Sequence, residues 1–216
     1  MKIVQTLSFS ILTSICLLYF WRKRLMSINI AVFASGKGTN AEKICSFFSK
    51  SNDVKVNLIC SNNKESKVFN LAKSLEISSY FIDDFSNENS EKLYRFLLDK
   101  KIDYIVLAGF LLKIPSFIIS FFSNKIINLH PSLLPKYGGK GMYGARVHKE
   151  VIRNNEKESG ITIHYVNENY DEGAVIYQHK QPISLGETGL TLSKKIQELE
   201  HSYYPLIIEK LIKNNL

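Results

Sequence analysis

Ile28-Asn29-Ile30-Ala31-Val32-Phe33-Ala34 runs directly into Ser35-Gly36-Lys37-Gly38-Thr39-Asn40, and these two segments decide the fold. The first is a short apolar run, which is typical of a strand buried on both faces in a parallel sheet. The second has glycines two positions apart, so the backbone can turn tightly there. The helix expected to start near Thr39 directs its free N–H groups at this loop. The sequence therefore predicts a strand, an anion-binding loop and a helix.

Strands and helices continue to alternate beyond this first unit. Apolar runs at residues 54–60, 103–108 and 126–129 predict buried strands, and residues 65–75 and 90–99 predict helices with one apolar face. This order favours right-handed β-α-β units and a parallel sheet. Residues 160–166 and 174–181 indicate two adjacent antiparallel strands, and a long helix is expected from about Thr191 to Lys213. We predict one α/β domain over residues 28–216, with a mostly parallel sheet, an antiparallel C-terminal addition and flanking helices.

The first 27 residues differ from the rest of the chain. Residues 3–20 are mostly apolar and are followed by Arg22, Lys23 and Arg24. The apolar run is short for a membrane helix, which needs about 20 residues, and no small-residue cleavage site of a signal peptide follows it. We expect residues 1–27 to form a leader, of which residues 1–25 are dispensable with Met26 as the functional start, and we expect no membrane association. The alternative is a membrane anchor whose basic cluster keeps the domain on the cytoplasmic side.

Composition and charge narrow the possible classes of partner. The formal net charge is +8, and the leader carries four of these positive charges, which leaves +4 for the remaining residues. The other Lys and Arg residues are spread along the chain, which argues against a nucleic-acid partner and favours small-molecule substrates. The three cysteines show no metal-type spacing and no disulfide framework, so a reducing, cytoplasmic compartment is expected. The sequence leaves the oligomeric state open.

The glycine-containing loop favours a mononucleotide or a sugar phosphate as its ligand. The Thr39 hydroxyl and the Asn40 amide can add hydrogen bonds to those of the helix N-terminus. A dinucleotide fingerprint would need a third glycine near Lys43 and an acidic residue at the end of the second strand, where the chain has Cys60-Ser61-Asn62. The alternative is a plain strand-to-helix turn with Thr39 as the N-cap.

Residues 127–135, Ile-Asn-Leu-His-Pro-Ser-Leu-Leu-Pro, contain the strongest candidates for catalysis. Asn128 and His130 lie two positions apart at a predicted strand end, so their side chains point to the same side. An amide can stabilise a developing oxyanion while an imidazole transfers protons near neutral pH, a combination that suits chemistry on a carbonyl. Asp171 follows the strand that contains His164 and could orient His130 and favour its protonated form. The alternatives are an ordinary hydrogen-bonded histidine and a plain turn at Asp171-Glu172-Gly173.

Five separated motifs follow one another along the chain. They are residues 35–40, Val106-Leu107-Ala108-Gly109-Phe110, residues 128–135, Asp171-Glu172-Gly173 and Gln197-Glu198-Leu199-Glu200-His201. From Ile28 to about Lys213 the chain resembles the folate-dependent formyltransferase family, and the first and last motifs resemble its glycinamide ribonucleotide branch. The resemblance implies a Rossmann-like domain that transfers the formyl group of 10-formyltetrahydrofolate, a co-substrate, to the primary amine of glycinamide ribonucleotide in de novo purine biosynthesis. It implies no metal.

The resemblance also implies roles for individual residues. Asn128 would hold the formyl oxygen, His130 would be the general acid and base, and Asp171 would raise the pKa of His130. The residues implied in binding the ribonucleotide, starting from its phosphate, are Gly38, Thr39, Asn40, Gln197 and Glu200. The residues implied in binding the folate are Leu111, Leu112, Lys113 and Ile114, together with Asn128, Asn167, Glu168, Asn169, Tyr170 and Asp171.

The chain departs from the family pattern at the folate segment. Some members have Met-Arg-Ile-Leu after the Gly-Phe pair, whereas this chain has Leu111-Leu112-Lys113-Ile114. Leu112 therefore replaces an arginine, although backbone contacts to the pterin would remain. No residue near 84–91 matches the arginine that the family directs at the folate glutamate tail, and we expect the glycine-rich insert at 138–141 to help through Lys140.

Four other functions are alternatives to formyl transfer to glycinamide ribonucleotide. A formyltetrahydrofolate hydrolase would use the same three residues with water as the acceptor, but we expect it to need an N-terminal regulatory domain. A methionyl-tRNA formyltransferase is expected to need a C-terminal RNA-binding domain. A phosphate-binding module without catalysis would have no use for a poised imidazole beside Asn128. A nicotinamide oxidoreductase is disfavoured because the third glycine and the acidic residue are missing.

Overall fold

Residues 27–214 are described by the computed structural model. Within them, seven strands form one sheet: β1 (Ile28–Phe33), β2 (Val54–Ser61), β3 (Ser78–Phe81), β4 (Tyr104–Leu107), β5 (Ile126–His130), β6 (Glu158–Tyr165) and β7 (Val175–Pro182). The helices of this region are α1 (Thr39–Phe48), α2 (Val68–Ser74), α3 (Asn87–Asp99), α4 (Ser116–Phe121), α5 (Ala145–Arg153) and α6 (Gly189–Asn214).

The strand order across the sheet is β3-β2-β1-β4-β5-β6-β7. The pairs from β3 to β5 are parallel, and β6 and β7 are added antiparallel to β5. The predicted α/β architecture, a mostly parallel sheet with an antiparallel C-terminal addition, is confirmed. Since β1 lies between β2 and β4, the chain leaves its carboxyl end at the point where the strand order reverses, which is where open α/β sheets bind ligands.

Helices cover both faces of the sheet, which explains the unbroken apolar run in β1. Ile30 and Val32 belong to the core on one face, which α1, α2, α5 and α6 cover. Ala31 and Phe33 belong to the core on the other face, which α3 and α4 cover. All four side chains are fully buried. A strand that is buried on both faces has no polar side, so its sequence cannot alternate.

The structure differs from the sequence prediction at several elements. The strand β3 and the helices α4 and α5 were not predicted. The helix predicted at residues 65–75 begins only at Val68, whereas α3 begins at Asn87, three residues before its predicted start. The reason at α3 is a cap, because the Ser86 hydroxyl accepts a hydrogen bond from the Asn89 N–H at 3.4 Å.

The predicted leader, residues 1–27, lies outside the described residues except for Ser27, so its dispensability stays a prediction. From residue 27 to residue 214, the chain has no helix that is both long enough and apolar enough to span a bilayer.

Candidate active site

A cavity of about 680 Å³ opens at the carboxyl ends of β1, β4 and β5. Its wall contains most of the residues predicted for function: Asn40, Leu111, Leu112, Lys113, Ile114, Asn128, His130, Asn167, Asn169, Tyr170, Asp171, Gln197 and Glu200. Gly38 and Thr39, which precede Asn40 in the chain, are not among the residues that line the cavity. Glu168 is exposed and does not line the cavity, so the structure does not bring this predicted folate-binding residue to the site.

Asn128, His130 and Asp171 meet in one cluster on the cavity wall. The Asp171 Oδ2 atom is 3.4 Å from His130 Nδ1, and Oδ1 is 3.4 Å from the Asn128 amide nitrogen. Asn128 and His130 point to the same side of β5, as their spacing predicts, and the loop after β6 carries Asp171 across to them. Only 5% of the His130 side chain and 12% of the Asp171 side chain are exposed, so the surrounding water screens their interaction weakly.

The geometry around His130 fixes which ring nitrogen can exchange a proton. The Nε2 atom lies 2.7 Å from the carbonyl oxygen of Tyr137. Because a carbonyl only accepts, Nε2 must carry a hydrogen, and Nδ1 is the nitrogen that gains or loses a proton. Burial lowers the pKa of His130 below its usual value, although Asp171 and the Tyr137 carbonyl act in the opposite direction. Asp171 thus raises the pKa of His130, but burial outweighs this effect, and the role of Asp171 in the reaction stays a prediction.

Asp171 is held as a carboxylate by several donors. Its Oδ2 atom accepts a hydrogen bond from the Gly139 N–H at 2.9 Å, and its Oδ1 atom accepts a longer one from the Asn128 amide at 3.4 Å. His164 Nε2 also lies near, 3.6 Å from Oδ1. Burial raises the pKa of Asp171, but His164, His130 and the Gly139 N–H together bring it below its usual value. The tight turn that presents Asp171 needs Gly173, because a Cβ there would collide with the carbonyl oxygen of Tyr165.

His164 belongs to this cluster, although the sequence did not identify it as a site residue. It faces Asn128 directly across the antiparallel β5–β6 pair, and its Nε2 atom is 3.1 Å from the Asn128 amide nitrogen. Its Nδ1 atom lies 2.8 Å from the Tyr165 carbonyl, so Nδ1 carries the hydrogen and Nε2 accepts from Asn128. His164 thus orients the amide of Asn128. The only sequence signal is a histidine within an apolar strand.

The start of α1 forms one end of the cavity and supports the predicted anion site. Gly38, at φ 78°, is the N-cap and makes no side-chain cap hydrogen bond, so the alternative with Thr39 as the N-cap is wrong. The first N–H groups of α1 are left free for an anion. Gln197 donates a hydrogen bond to the Thr39 hydroxyl at 3.3 Å, and Asn40 donates one to Glu200 at 2.8 Å. The residues predicted for the ribonucleotide are therefore gathered at this end.

Glu200 and Asn40 are both partly buried in the cavity wall. Burial raises the pKa of Glu200, although the hydrogen bond from Asn40 opposes this effect. The Asn40 Oδ1 atom is enclosed and has no hydrogen-bond partner in the described part of the chain. A carboxyl group beside an unpaired amide oxygen provides acceptors for the hydroxyl or amine groups of a ligand.

The other end of the cavity lies between two loops that the sequence assigned to the folate. Lys113, in the loop after β4, places its Nζ atom 5.9 Å from the ring centre of Tyr170 in the loop after β6. This cation–π contact joins the two predicted folate segments across the mouth. Leu112 also lines the wall, where it offers apolar surface in place of the arginine of other family members.

The glycine-rich stretch after β5 forms a third side of the site. Residues 139–145, with Lys140 among them, line the cavity next to His148 of α5. Of these residues, only Lys140 was predicted to have a role. Within residues 27–214, no group of three or more His, Cys, Asp or Glu side chains could hold a metal ion.

Residues 28–208 match the formyl transferase family, and the chain belongs to it. The chain is 33% identical to the phosphoribosylglycinamide formyltransferase of Bacillus subtilis, in a match that covers 86% of this chain and 95% of that protein. It is also 34% identical to the chloroplastic phosphoribosylglycinamide formyltransferase of Arabidopsis thaliana, in a match that covers 87% of this chain. The same match covers 66% of the plant protein, slightly less than two thirds.

Solved structures agree with this assignment. The phosphoribosylglycinamide formyltransferase of Bacillus halodurans superposes with a TM-score of 0.78 at 34% identity, over 87% of this chain and 97% of that one. A formyltetrahydrofolate deformylase from Pseudomonas syringae shares the fold, with a TM-score of 0.77 at 18% identity. The fold is therefore common to proteins named for different acceptors, and the acceptor must be argued from the site.

Proposed function

We propose that the chain transfers the formyl group of 10-formyltetrahydrofolate to the primary amine of glycinamide ribonucleotide. The observation that carries this proposal is the arrangement of one continuous cavity. A free helix N-terminus with Gln197 and Glu200 forms one end, two loops with apolar surface form the other, and Asn128, His130 and Asp171 lie between them. The relatives named phosphoribosylglycinamide formyltransferase support the same acceptor.

In the proposed reaction, His130 moves the proton. The amine nitrogen attacks the formyl carbon, and His130 Nδ1 accepts the proton that the amine loses. The bond from the carbon to the folate N10 then breaks, and the same Nδ1 returns the proton to N10, so the enzyme ends in its starting state. Asp171, 3.4 Å from Nδ1, stabilises the imidazolium that exists between these two transfers.

Asn128 is proposed to stabilise the oxyanion formed when the amine attacks. Its amide nitrogen has two hydrogens, which point at His164 Nε2 and at Asp171 Oδ1. The contact to Asp171 is long, at 3.4 Å, so this hydrogen is the one free to turn to the formyl oxygen. The bond to His164 keeps the amide nitrogen on the side of the reacting group. A donor positioned in this way is worth about 10²–10³ in rate.

The two ends of the cavity are proposed to take the two substrates. The N–H groups at Gly38, Thr39 and Asn40 bind the phosphate, and Gln197 and Glu200 bind the ribose and glycinamide portion. The loops at 111–114 and 167–171 bind the pterin. Lys113 and Lys140, which line the folate side, are the cations available to the glutamate tail.

An acceptor assay tests the proposal. The purified protein is incubated with 10-formyltetrahydrofolate, with and without glycinamide ribonucleotide, while tetrahydrofolate is followed by absorbance and formylated product by mass spectrometry. Turnover only with the ribonucleotide supports the proposal, and equal turnover without it shows a hydrolase instead. A parallel reaction with methionyl-tRNA as the only acceptor tests for the tRNA enzyme, which would form formylated methionyl-tRNA. As a matched pair, His130→Gln should abolish turnover, and His179→Gln, on β7 outside the cavity, should not.

We propose a reducing, cytoplasmic setting and small molecules as the partners. Cys45 and Cys60 are buried free thiols, and burial raises the pKa of Cys45 to about 12, so it is an unreactive thiol. Fractionation of cells that express the full-length chain tests the setting: activity in a secreted or periplasmic fraction would contradict it, and activity in the membrane pellet would instead indicate an anchor.

A further inference from the structure

His148 is a polar residue in the cavity wall without a role so far. It lies on α5 with only 4% of its surface exposed, and its ring lines the cavity. Its Nδ1 atom is enclosed without a partner, and no hydrogen bond joins the ring to any residue between 27 and 214. The neighbouring buried residues of α5, Val147 and Val151, are apolar, so an imidazole at this position is not needed for packing.

The protonation state of the His148 ring shows which kind of hydrogen-bond partner it needs. Burial and, to a smaller extent, His130 lower the pKa of His148 to about 4, so the ring is neutral at physiological pH. A neutral imidazole always has one N–H donor and one acceptor nitrogen. Leaving a buried donor unpaired is unfavourable, and buried polar groups in native proteins nearly always have a partner. An oxygen atom of a ligand that enters the cavity would be a partner for the ring N–H.

The start of α5 adds further donors beside this ring. Its N-cap, Gly144, makes no side-chain cap hydrogen bond, and no acidic residue occupies its first turn. Gly144 and Ala145 both line the cavity, so free backbone N–H groups lie close to His148. The preceding loop is held in place by the hydrogen bond from the Gly139 N–H to Asp171.

The neighbouring helix places His148 on the side of the acceptor substrate. Gly189, at the start of α6, packs against Lys149, the residue after His148. Ser193, Gln197 and Glu200 follow along α6 at spacings of four and three residues, so they form one stripe that lines the cavity. This stripe leads from α5 to Asn40. A ribonucleotide bound along this stripe, with its phosphate at the start of α1, would share the cavity with both His148 and His130.

We propose that His148 is a substrate-binding residue whose ring N–H donates a hydrogen bond to an oxygen of the ribonucleotide between its phosphate and its amine. The hydrogen bond holds the amine beside His130 Nδ1 during the attack. This inference rests on the proposed function, because it names a further contact of the same acceptor.

The test compares three variants of the full-length chain. His148→Phe keeps a flat ring but removes the donor, and should raise the KM for the ribonucleotide about tenfold while the folate dissociation constant changes less than twofold. His148→Gln keeps an N–H donor and should recover most of this loss. His201→Phe is the control, because His201 also has an enclosed nitrogen without a described partner but lies outside the cavity wall. It should behave as the wild type.

Two further measurements keep the inference separate from the proposed function. Calorimetry of ribonucleotide binding reports on His148 even when the wild type transfers no formyl group, a result that would remove only the proposed function. Ring ¹⁵N NMR of the wild type should show the His148 signals moving when ribonucleotide is added, which requires no variant to fold. Unchanged KM and affinity in His148→Phe, or unmoved ring signals on a bound wild type, would overturn the inference and leave water as the partner of the ring.

Discussion

Replacing Asp171 by Asn should nearly abolish formyl transfer while leaving the fold intact. The substitution keeps the shape of the side chain but removes the charge that faces His130 Nδ1 at 3.4 Å. Both side chains are almost enclosed, at 5% and 12% exposure, so solvent cannot replace the lost partner. Breaking a buried charge pair by removing one partner costs about 3–5 kcal/mol. When the imidazolium forms only during the reaction, that cost falls on the barrier, which corresponds to a rate loss of about 10²–10⁴.

The pH profile distinguishes this mechanism from a general loss of structure. Burial lowers the pKa of His130, and Asp171 is the main influence that raises it. In Asp171→Asn the hydrogen bond to the Tyr137 carbonyl is the remaining influence that raises the pKa of His130, and burial opposes it, so the pKa should fall further. The ring then stays neutral to a lower pH, and the acidic limb of the kcat profile should move to lower pH while the maximum falls.

The assay is kcat against pH, measured with saturating folate and ribonucleotide. Glu172→Gln is the matched control, because Glu172 is the exposed neighbour of Asp171 and its carboxylate contacts Asn169 rather than His130. It should retain the wild-type profile. An Asp171→Asn enzyme with the wild-type rate and profile would refute the pairing of Asp171 with His130.

Three other predictions follow from the same geometry. Thr39→Ala removes the hydroxyl that accepts from Gln197 and lies at the start of α1, so steady-state kinetics should show the KM for the ribonucleotide raised about three- to tenfold with kcat nearly unchanged; a large loss of kcat would contradict a role in binding. The pKa of His148 falls from 6.5 to about 4 on folding, so the unfolded chain binds its proton first and stability is lost as the pH falls from about 6.5 towards 4. Urea denaturation at a series of pH values should show that His148 contributes about 3 kcal/mol to the free energy of unfolding at neutral pH. If His148→Gln lost stability with falling pH as much as the wild type does, this contribution of His148 would be disproved. A chain that starts at Met26 should melt and turn over as the full-length protein does, and mass spectrometry of the mature protein should find that N-terminus; a protein that starts at Met1 and pellets with membranes would argue for an anchor.

The central part of the fold could be predicted from the sequence because its strands are buried on both faces. The apolar runs that became β1, β2, β4 and β5 have no other plausible place in a domain of this size. The edge strand β3 was missed since Ser78-Ser-Tyr-Phe is only four residues long and partly exposed. The helix α4 was missed because five of its residues, 117–121, include only one polar side chain, which leaves no helical periodicity to detect.

The site was predictable where one strand or one motif determines it. Asn128 and His130 share a face of β5 through the two-residue period of a strand. The position of His164 depends on the register of β6 against β5, and register is set by tertiary packing rather than by local pattern. His148 was missed for a similar reason, since it reaches the cavity only because α5 packs on α6.

Two opposing effects on His130 determine the order of its proton transfers. The sequence interpretation considered only the charge of Asp171, which favours the protonated ring. Burial acts in the other direction and prevails, so the ring is mostly neutral near neutral pH, with Nε2–H bound to the Tyr137 carbonyl and Nδ1 free to accept. A neutral ring can act as a base on the attacking amine, which a protonated ring could not do. Once Nδ1 holds the proton, the nearby carboxylate stabilises the charge, and the low intrinsic basicity of the buried ring favours release of the proton to the leaving nitrogen. Burial thus keeps the ring neutral so that it can accept the proton of the amine. Asp171 then stabilises the charge of the imidazolium, in a site with little water, until the proton is released to the leaving nitrogen.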